Sequence, residues 1–198
     1  MTSRFNIEEI NYLIRYRRSV YPKDYTGEAV PTYIIEAMLE NANWAPTHKL
    51  TEPWRFMVFT GKGLQTLDTF QAQCYKDVTE ANGTFQQDRY EALQTKPMQS
   101  SHIISIGMRR DAKKSIPEME EVGAVYAAVQ NMQLTAIAYG AGCYLSTGGI
   151  TFFEEAKPFF DLGVDDRLLG FLHVGMMKAP LQAGRRKPIQ DKVKWITS

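Results

Sequence analysis

Apolar side chains recur at three- and four-residue spacing in some stretches of the chain and gather into short runs of strand formers in others, which predicts helices interspersed with strands. Asn6 is placed to cap a first helix whose third residue is Glu9, and Phe5 to staple onto Ile10. Ile7, Ile10, Leu13 and Ile14 then mark one buried face. Arg15, Arg17 and Arg18 arrive in its last turn, and Ser19 to Tyr21 form the exit, because Pro22 disfavours helical geometry in the residue before it. Pro31 opens a second helix with Ile34, Ile35, Met38, Leu39 and Ala42 on one face, closed by Pro46. A loop over 45–53 leads into a largely buried strand over 54–59. The stretch 64–95 predicts one or two polar helices broken near Asn82-Gly83, and two readings of it stay open: a lid over a site, or a surface helical hairpin.

A second strand follows over 102–108, alternating around Ile104, Ile106 and Met108. Glu118, Glu120 and Glu121 load the start of the next helix with negative charge, which the helix dipole favours. Val122, Val125, Val129, Met132 and Ala136 give that helix an apolar stripe, and Ala124, Ala127, Ala128, Leu134 and Ile137 make its other sides apolar too. Such a helix needs cover nearly all round, from a sheet on one side and a second subunit on the other. Short strands over 142–147 and 168–176 bracket a Gly148-Gly149 turn and a short helix over 152–160. From 180 to 198 the basic, aperiodic chain reads as an extended arm.

With 198 residues, 44% of them hydrophobic, the chain is long enough for one domain with a real core, spanning 1–198 with the arm at its end. Lys and Arg number 23 against 22 Asp and Glu, which offers no basic excess to a polyanion and argues against a nucleic-acid partner. The uncharged run 122–153 is interrupted by Gln130, Asn131 and Gln133 and by four glycines in its second half, so it reads as buried core and not as a membrane span. The N-terminus lacks the apolar segment of a signal peptide, which predicts a cytoplasmic protein. Cys74 and Cys143 are far apart and His48, His102 and His173 are isolated, so neither a disulfide framework nor a metal site is indicated. Gly140-Ala141-Gly142 follows a helix and is too short for a dinucleotide fingerprint, and no Walker lysine or GxSxG elbow occurs.

What remains is the cluster Arg15-Tyr16-Arg17-Arg18-Ser19. Guanidiniums at a helix C-terminus are favoured by the dipole, which supports a solvated helix end; their planar forks with Ser19 equally suit an anion. Arg185-Arg186 of the arm has the same composition and is a candidate to converge on one phosphate with the first cluster, or to remain a solvated tail.

Arg17-Arg18-Ser19 closing the first helix, Ala45-Pro46-Thr47-His48 through Glu52-Pro53-Trp54-Arg55-Phe56, and Gly140 through Gly149 together resemble the FMN-dependent nitroreductase family, in particular its short branch of NAD(P)H nitroreductases. The resemblance implies an α+β, three-layer fold: a mostly antiparallel central sheet flanked by helices, in an intertwined homodimer with an exchanged C-terminal arm. It implies FMN as cofactor, held by Arg17, Arg18 and Ser19, by Leu145, Ser146 and Thr147 along the ring, by Arg186 at the phosphate, and by His48 reaching the flavin of the other subunit. The implied activity passes hydride from NADPH or NADH through flavin N5 to a nitroaromatic, quinone or other electron-accepting small molecule, with no catalytic side chain. Dehalogenation, flavin-consuming oxidation and non-catalytic flavin storage are alternatives within the same resemblance. The chain departs from the family pattern at Tyr21, where many members have Lys or Arg, and at Trp44, Leu50 and Glu52.

Overall fold

The computed structural model describes residues 4–95 and 97–197. Asn6 opens α1 (Ile7–Tyr16) as predicted, its Oδ1 accepting from the backbone N–H of Glu8 at 3.1 Å and of Glu9 at 3.2 Å. Two of the four N–H groups that a helix start leaves unpaired are thereby satisfied. α2 (Thr32–Asn43) begins after Pro31 and buries Ile34, Ile35, Met38 and Ala42. β1 (Trp54–Thr60) leads into α3 (Lys62–Ala81) and α4 (Gln87–Thr95), which are separated near Asn82-Gly83 as the turn residues require. Then come β2 (His102–Met108), α5 (Glu118–Ala138), β3 (Ala141–Ser146) and β4 (Arg167–Met176).

The four strands form one antiparallel sheet in the order β1-β2-β4-β3. α2 and α5 cover one face through a core that includes Met38, Ile104, Met132 and Leu172. α3 and the turns after β3 cover the other through Leu67, Ile103, Ile150 and Phe171. This is the three-layer α+β architecture expected. A register shift between Ile106 and Gly107 places an extra residue, Leu169, in β4. Pleat parity therefore changes along β4: Leu168 and Phe171 both reach the α3 side, whereas Leu172 and Val174 alternate normally.

The structure differs from the sequence expectations at several points. The apolar stripe of α1 is not buried: Ile7, Ile10 and Ile14 are exposed, and α5 is the helix's chief neighbour within the chain. β1 is an edge strand, which leaves its middle residues only half covered. β2 is buried at every position and not on alternate ones, since helices lie over both faces of a central strand. The short helix expected over 152–160 is present as a 3-10 helix, Glu154–Phe160, preceded by another at Gly149–Phe152; Pro158 has no N–H to give an α-helical ladder. Glu121 lies inside the first turns of α5 and is fully buried. It pairs with the Arg110 guanidinium and accepts the N–H of Asp111 at 2.8 Å, tying the 109–117 loop to the helix.

Beyond β4 the arm is extended and mostly exposed, with one short turn at Ile189–Lys192. No helix is long and apolar enough to cross a membrane, and among the described residues no group of His, Cys, Asp and Glu is gathered for a metal.

Candidate functional site

The exit from α1 is held in place by the sheet. Val20 N–H donates to the Cys143 carbonyl at 2.9 Å, and Ser19 bridges Cys143 in parallel, extending the sheet edge beyond β3 by one short step. Gly142 permits that approach, since a Cβ there would lie 2.7 Å from the Cβ of Val20. The buried Tyr25 hydroxyl lies 2.9 Å from the Val20 carbonyl and 3.1 Å from that of His173, which fastens the same segment to β4. Arg17, Arg18 and Ser19 are therefore set by strand-like docking and not by helix geometry alone.

The arm then folds back onto α1. The Tyr16 hydroxyl accepts the Leu181 N–H at 3.0 Å, and Gly184 lies so close to the Arg18 guanidinium that any side chain there would collide with it. Arg15, Arg18 and Arg186 line a cavity of about 700 Å³ between α1 and the arm, with Tyr12, Tyr16 and Leu181 as its apolar wall. Arg17 turns toward β3. Burial, then the nearby charges of Arg186 and Arg18, pull its guanidinium below its ordinary pKa. The Nε atoms of Arg17 and Arg18 are buried without a hydrogen-bond partner, and among the described residues no carboxylate ion-pairs with Arg17, Arg18 or Arg186. Among the described residues, Arg18 Nη1 donates to the Arg15 and Arg17 carbonyls. Like charges are thus collected, partly desolvated and left without a counterion, which is costly unless an anion completes the set.

The predicted ring-lining residues continue from the same edge. Leu145 and Ser146 end β3 half-buried, and Thr147 is exposed beyond them. Tyr21, standing where many family members carry a cation, packs its ring 4.6 Å from that of Tyr144 on β3. His48 lies elsewhere. It precedes β1, at the opposite edge of the sheet from β3, where its Nδ1 meets a Glu120 carboxylate oxygen at 2.5 Å. Within one chain it is not brought to the arginines. Cys143, beside Arg17, is fully buried, and burial pushes its thiol up to about 12, so it supplies no thiolate. Sequence reasoning missed Tyr16 and Gly184 as the residues that dock the arm. The Tyr12 and Tyr16 rings, one helical turn apart and stacked at 5.3 Å, were the available signal.

A model of the nitroreductase family matches residues 14–176, from the end of α1 to the end of β4. The chain belongs to the nitroreductase family. Among the relatives of this nitroreductase-family chain is the Bacillus subtilis (strain 168) protein named "Putative NAD(P)H nitroreductase YfhC", 27% identical over 185 residues, which span 91% of this chain and 90% of that one. A nitroreductase-like family protein from Bacillus cereus has a crystal structure that superposes with a TM-score of 0.81 at 27% identity, covering 100% of both chains. A "putative nitroreductase" of Desulfovibrio desulfuricans, solved in complex with FMN, superposes with a TM-score of 0.68 at 24% identity over 98% of this chain and 99% of that one. The nitroreductase fold is thus established over the described chain, and the arginine cluster sits where its first matched residues begin.

Proposed function

We propose that this protein is an FMN-dependent NAD(P)H oxidoreductase that reduces a small electron acceptor such as a nitroaromatic or a quinone. The observation that carries the reading is the cluster of Arg17, Arg18 and Arg186, with two buried Nε donors unpaired and, among the described residues, no carboxylate ion-paired with it. The residues present fit the flavin: a phosphate provides the acceptors and the charge that this cluster lacks. The FMN of the Desulfovibrio desulfuricans protein and the NAD(P)H in the name of YfhC support the same assignment.

The chemistry that FMN would supply here is transfer of a hydride, by way of its N5, from NAD(P)H to the acceptor. For a nitro compound the balance is RNO2 + NAD(P)H + H⁺ → RNO + NAD(P)⁺ + H2O. Arg18 and Arg186 would hold its phosphate, and Arg17 with Ser19 would serve the polar edge of its ring. A cation fixed there by β3 stabilises developing negative charge without reorganising at the moment of reaction. Leu145, Ser146 and Thr147 would line one side of the ring.

The exposed stripe of α1 and the exposed Trp195 and Ile196 of the arm support a homodimer, since apolar surface of that extent is covered in stable proteins. In that homodimer residues 181–186 stay on their own α1, the exposed end of the arm with Trp195 and Ile196 reaches the second copy, and His48 approaches that copy's flavin. Sedimentation velocity is expected to show a dimer that a chain ending at residue 188 forms less well. The activity is tested by anaerobic titration of the FMN-loaded protein with NADPH and then NADH. Loss of the flavin's visible absorbance with either supports an oxidoreductase; flavin bound but unchanged by both supports storage, and failure to bind FMN removes the reading.

A further inference from the structure

A second cavity, of about 590 Å³, opens between α3, α4 and the Gly148-Gly149 turn, the two residues that directly follow Thr147. α4 closes on that turn: a Cβ at Gly149 would lie 3.5 Å from Cδ2 of Leu93, an ordinary contact. The cavity walls are apolar in part, through Leu93, Ala92 and Phe153, and no carboxylate lines them.

The charged side chain in its lining is a donor. Arg89 lines the cavity with an exposed guanidinium, and among the described residues it has no ion pair or hydrogen bond. Tyr75 is 4% exposed, and its phenol oxygen accepts the N–H of Gln86 at 3.2 Å. That leaves the phenol's own O–H without an acceptor among the described residues. A buried hydroxyl proton without an acceptor is costly, and a ligand oxygen removes the cost. Thr79 and Thr84 are already committed, to the Tyr75 carbonyl and to Asn82.

We propose that this cavity is the acceptor-specificity subsite, seating a small aromatic carboxylate whose anion meets Arg89 and Tyr75 and whose ring lies on Leu93 and Phe153. One planar fork and one hydroxyl donor match a carboxylate, which takes two parallel N–H bonds and spares a lone pair. The Gly148-Gly149 turn directs the far end of such a ligand toward Leu145, Ser146 and Thr147. In turnover the subsite rests on the flavin reading given above; as a binding site it stands on its own lining.

The test compares 4-nitrobenzoate with nitrobenzene, which differ in the carboxylate alone, on the full chain and on Arg89→Ala and Tyr75→Phe. Calorimetry, with and without FMN, is expected to show that wild type prefers 4-nitrobenzoate. Arg89→Ala is expected to lose roughly tenfold to a hundredfold of that affinity, with nitrobenzene unchanged. Tyr75→Phe, which keeps the ring, is expected to lose a smaller part. On FMN-loaded protein the same loss appears in KM for 4-nitrobenzoate while kcat holds. Equal affinity of wild type for the two compounds, or undiminished 4-nitrobenzoate binding by Arg89→Ala, overturns the subsite. A protein that fails to bind FMN defeats the flavin reading alone, because the calorimetric comparison still decides the cavity.

Discussion

Arg17→Ala separates a ligand site from a structural cluster, because the two roles predict opposite signs. In the free protein the Arg17 guanidinium is half-buried, its Nε has no partner, and Arg186 and Arg18 repel it. Truncating it removes an unpaired donor and a like charge and gives up the packing of its stem, so the stability of the flavin-free variant is expected within about 1 kcal/mol of wild type. With FMN bound, the same guanidinium makes a charge-assisted hydrogen bond worth about 1.5–3 kcal/mol, so affinity falls roughly tenfold to a hundredfold or more. Titrating FMN against each protein by quenching of flavin fluorescence measures the second quantity, and thermal melts with and without FMN measure the first. Part of the loss is expected to shrink at high salt, since the cluster is only partly buried. A variant that melts several degrees lower without flavin, yet binds FMN as tightly as wild type, would refute the reasoning and return the arginines to a structural role.

The other predictions concern what holds the site. Gly142→Ala sets a methyl 2.7 Å from the Cβ of Val20 and is expected to cost about 1–3 kcal/mol in urea unfolding and to weaken FMN binding together, because it displaces the Ser19–Val20 segment. Glu121→Ala leaves Arg110 buried without its carboxylate, so a loss of about 3–5 kcal/mol is expected, read as a lower urea midpoint. Stability should fall on acidification. Burial pulls His173 down to about 4, and His102 below its ordinary value, so the unfolded chain binds protons that the folded chain resists. The His173 contribution is complete above about pH 6.5 and is lost as pH falls toward 4, worth about 3 kcal/mol in all. His173→Gln is expected to flatten urea midpoints between those pH values; an unchanged slope speaks against the burial argument.

Local chemistry was legible where it acts over a few residues. Asn6 capped the helix that its spacing to Glu9 announced, Pro31 opened α2, and Asn82-Gly83 separated α3 from α4. The short helix expected over 152–160 is there too, and Pro158 accounts for its 3-10 form. Burial was less legible. The stripes of α1 and β1 have the composition of buried faces, yet one lies on the outside of the chain and the other at a sheet edge, because the position of an element in the layers is no property of its own residues.

The sequence by itself determined the element order and the stock of charges available to an anion, since capping, turn formation and side-chain chemistry are short-ranged. The family pattern was carried by the order of its motifs. The tertiary structure alone decided which charges meet. It brought Arg186 to Arg17 and Arg18 by folding the arm back onto Tyr16, 165 residues earlier in the chain than Leu181, and it set His48 at the far edge of the sheet. Among the described residues, it also left these arginines without a carboxylate and the Tyr75 O–H without an acceptor. Whether a polar group is paired depends on residues far away in sequence, and that pairing distinguishes a solvated charge from a site.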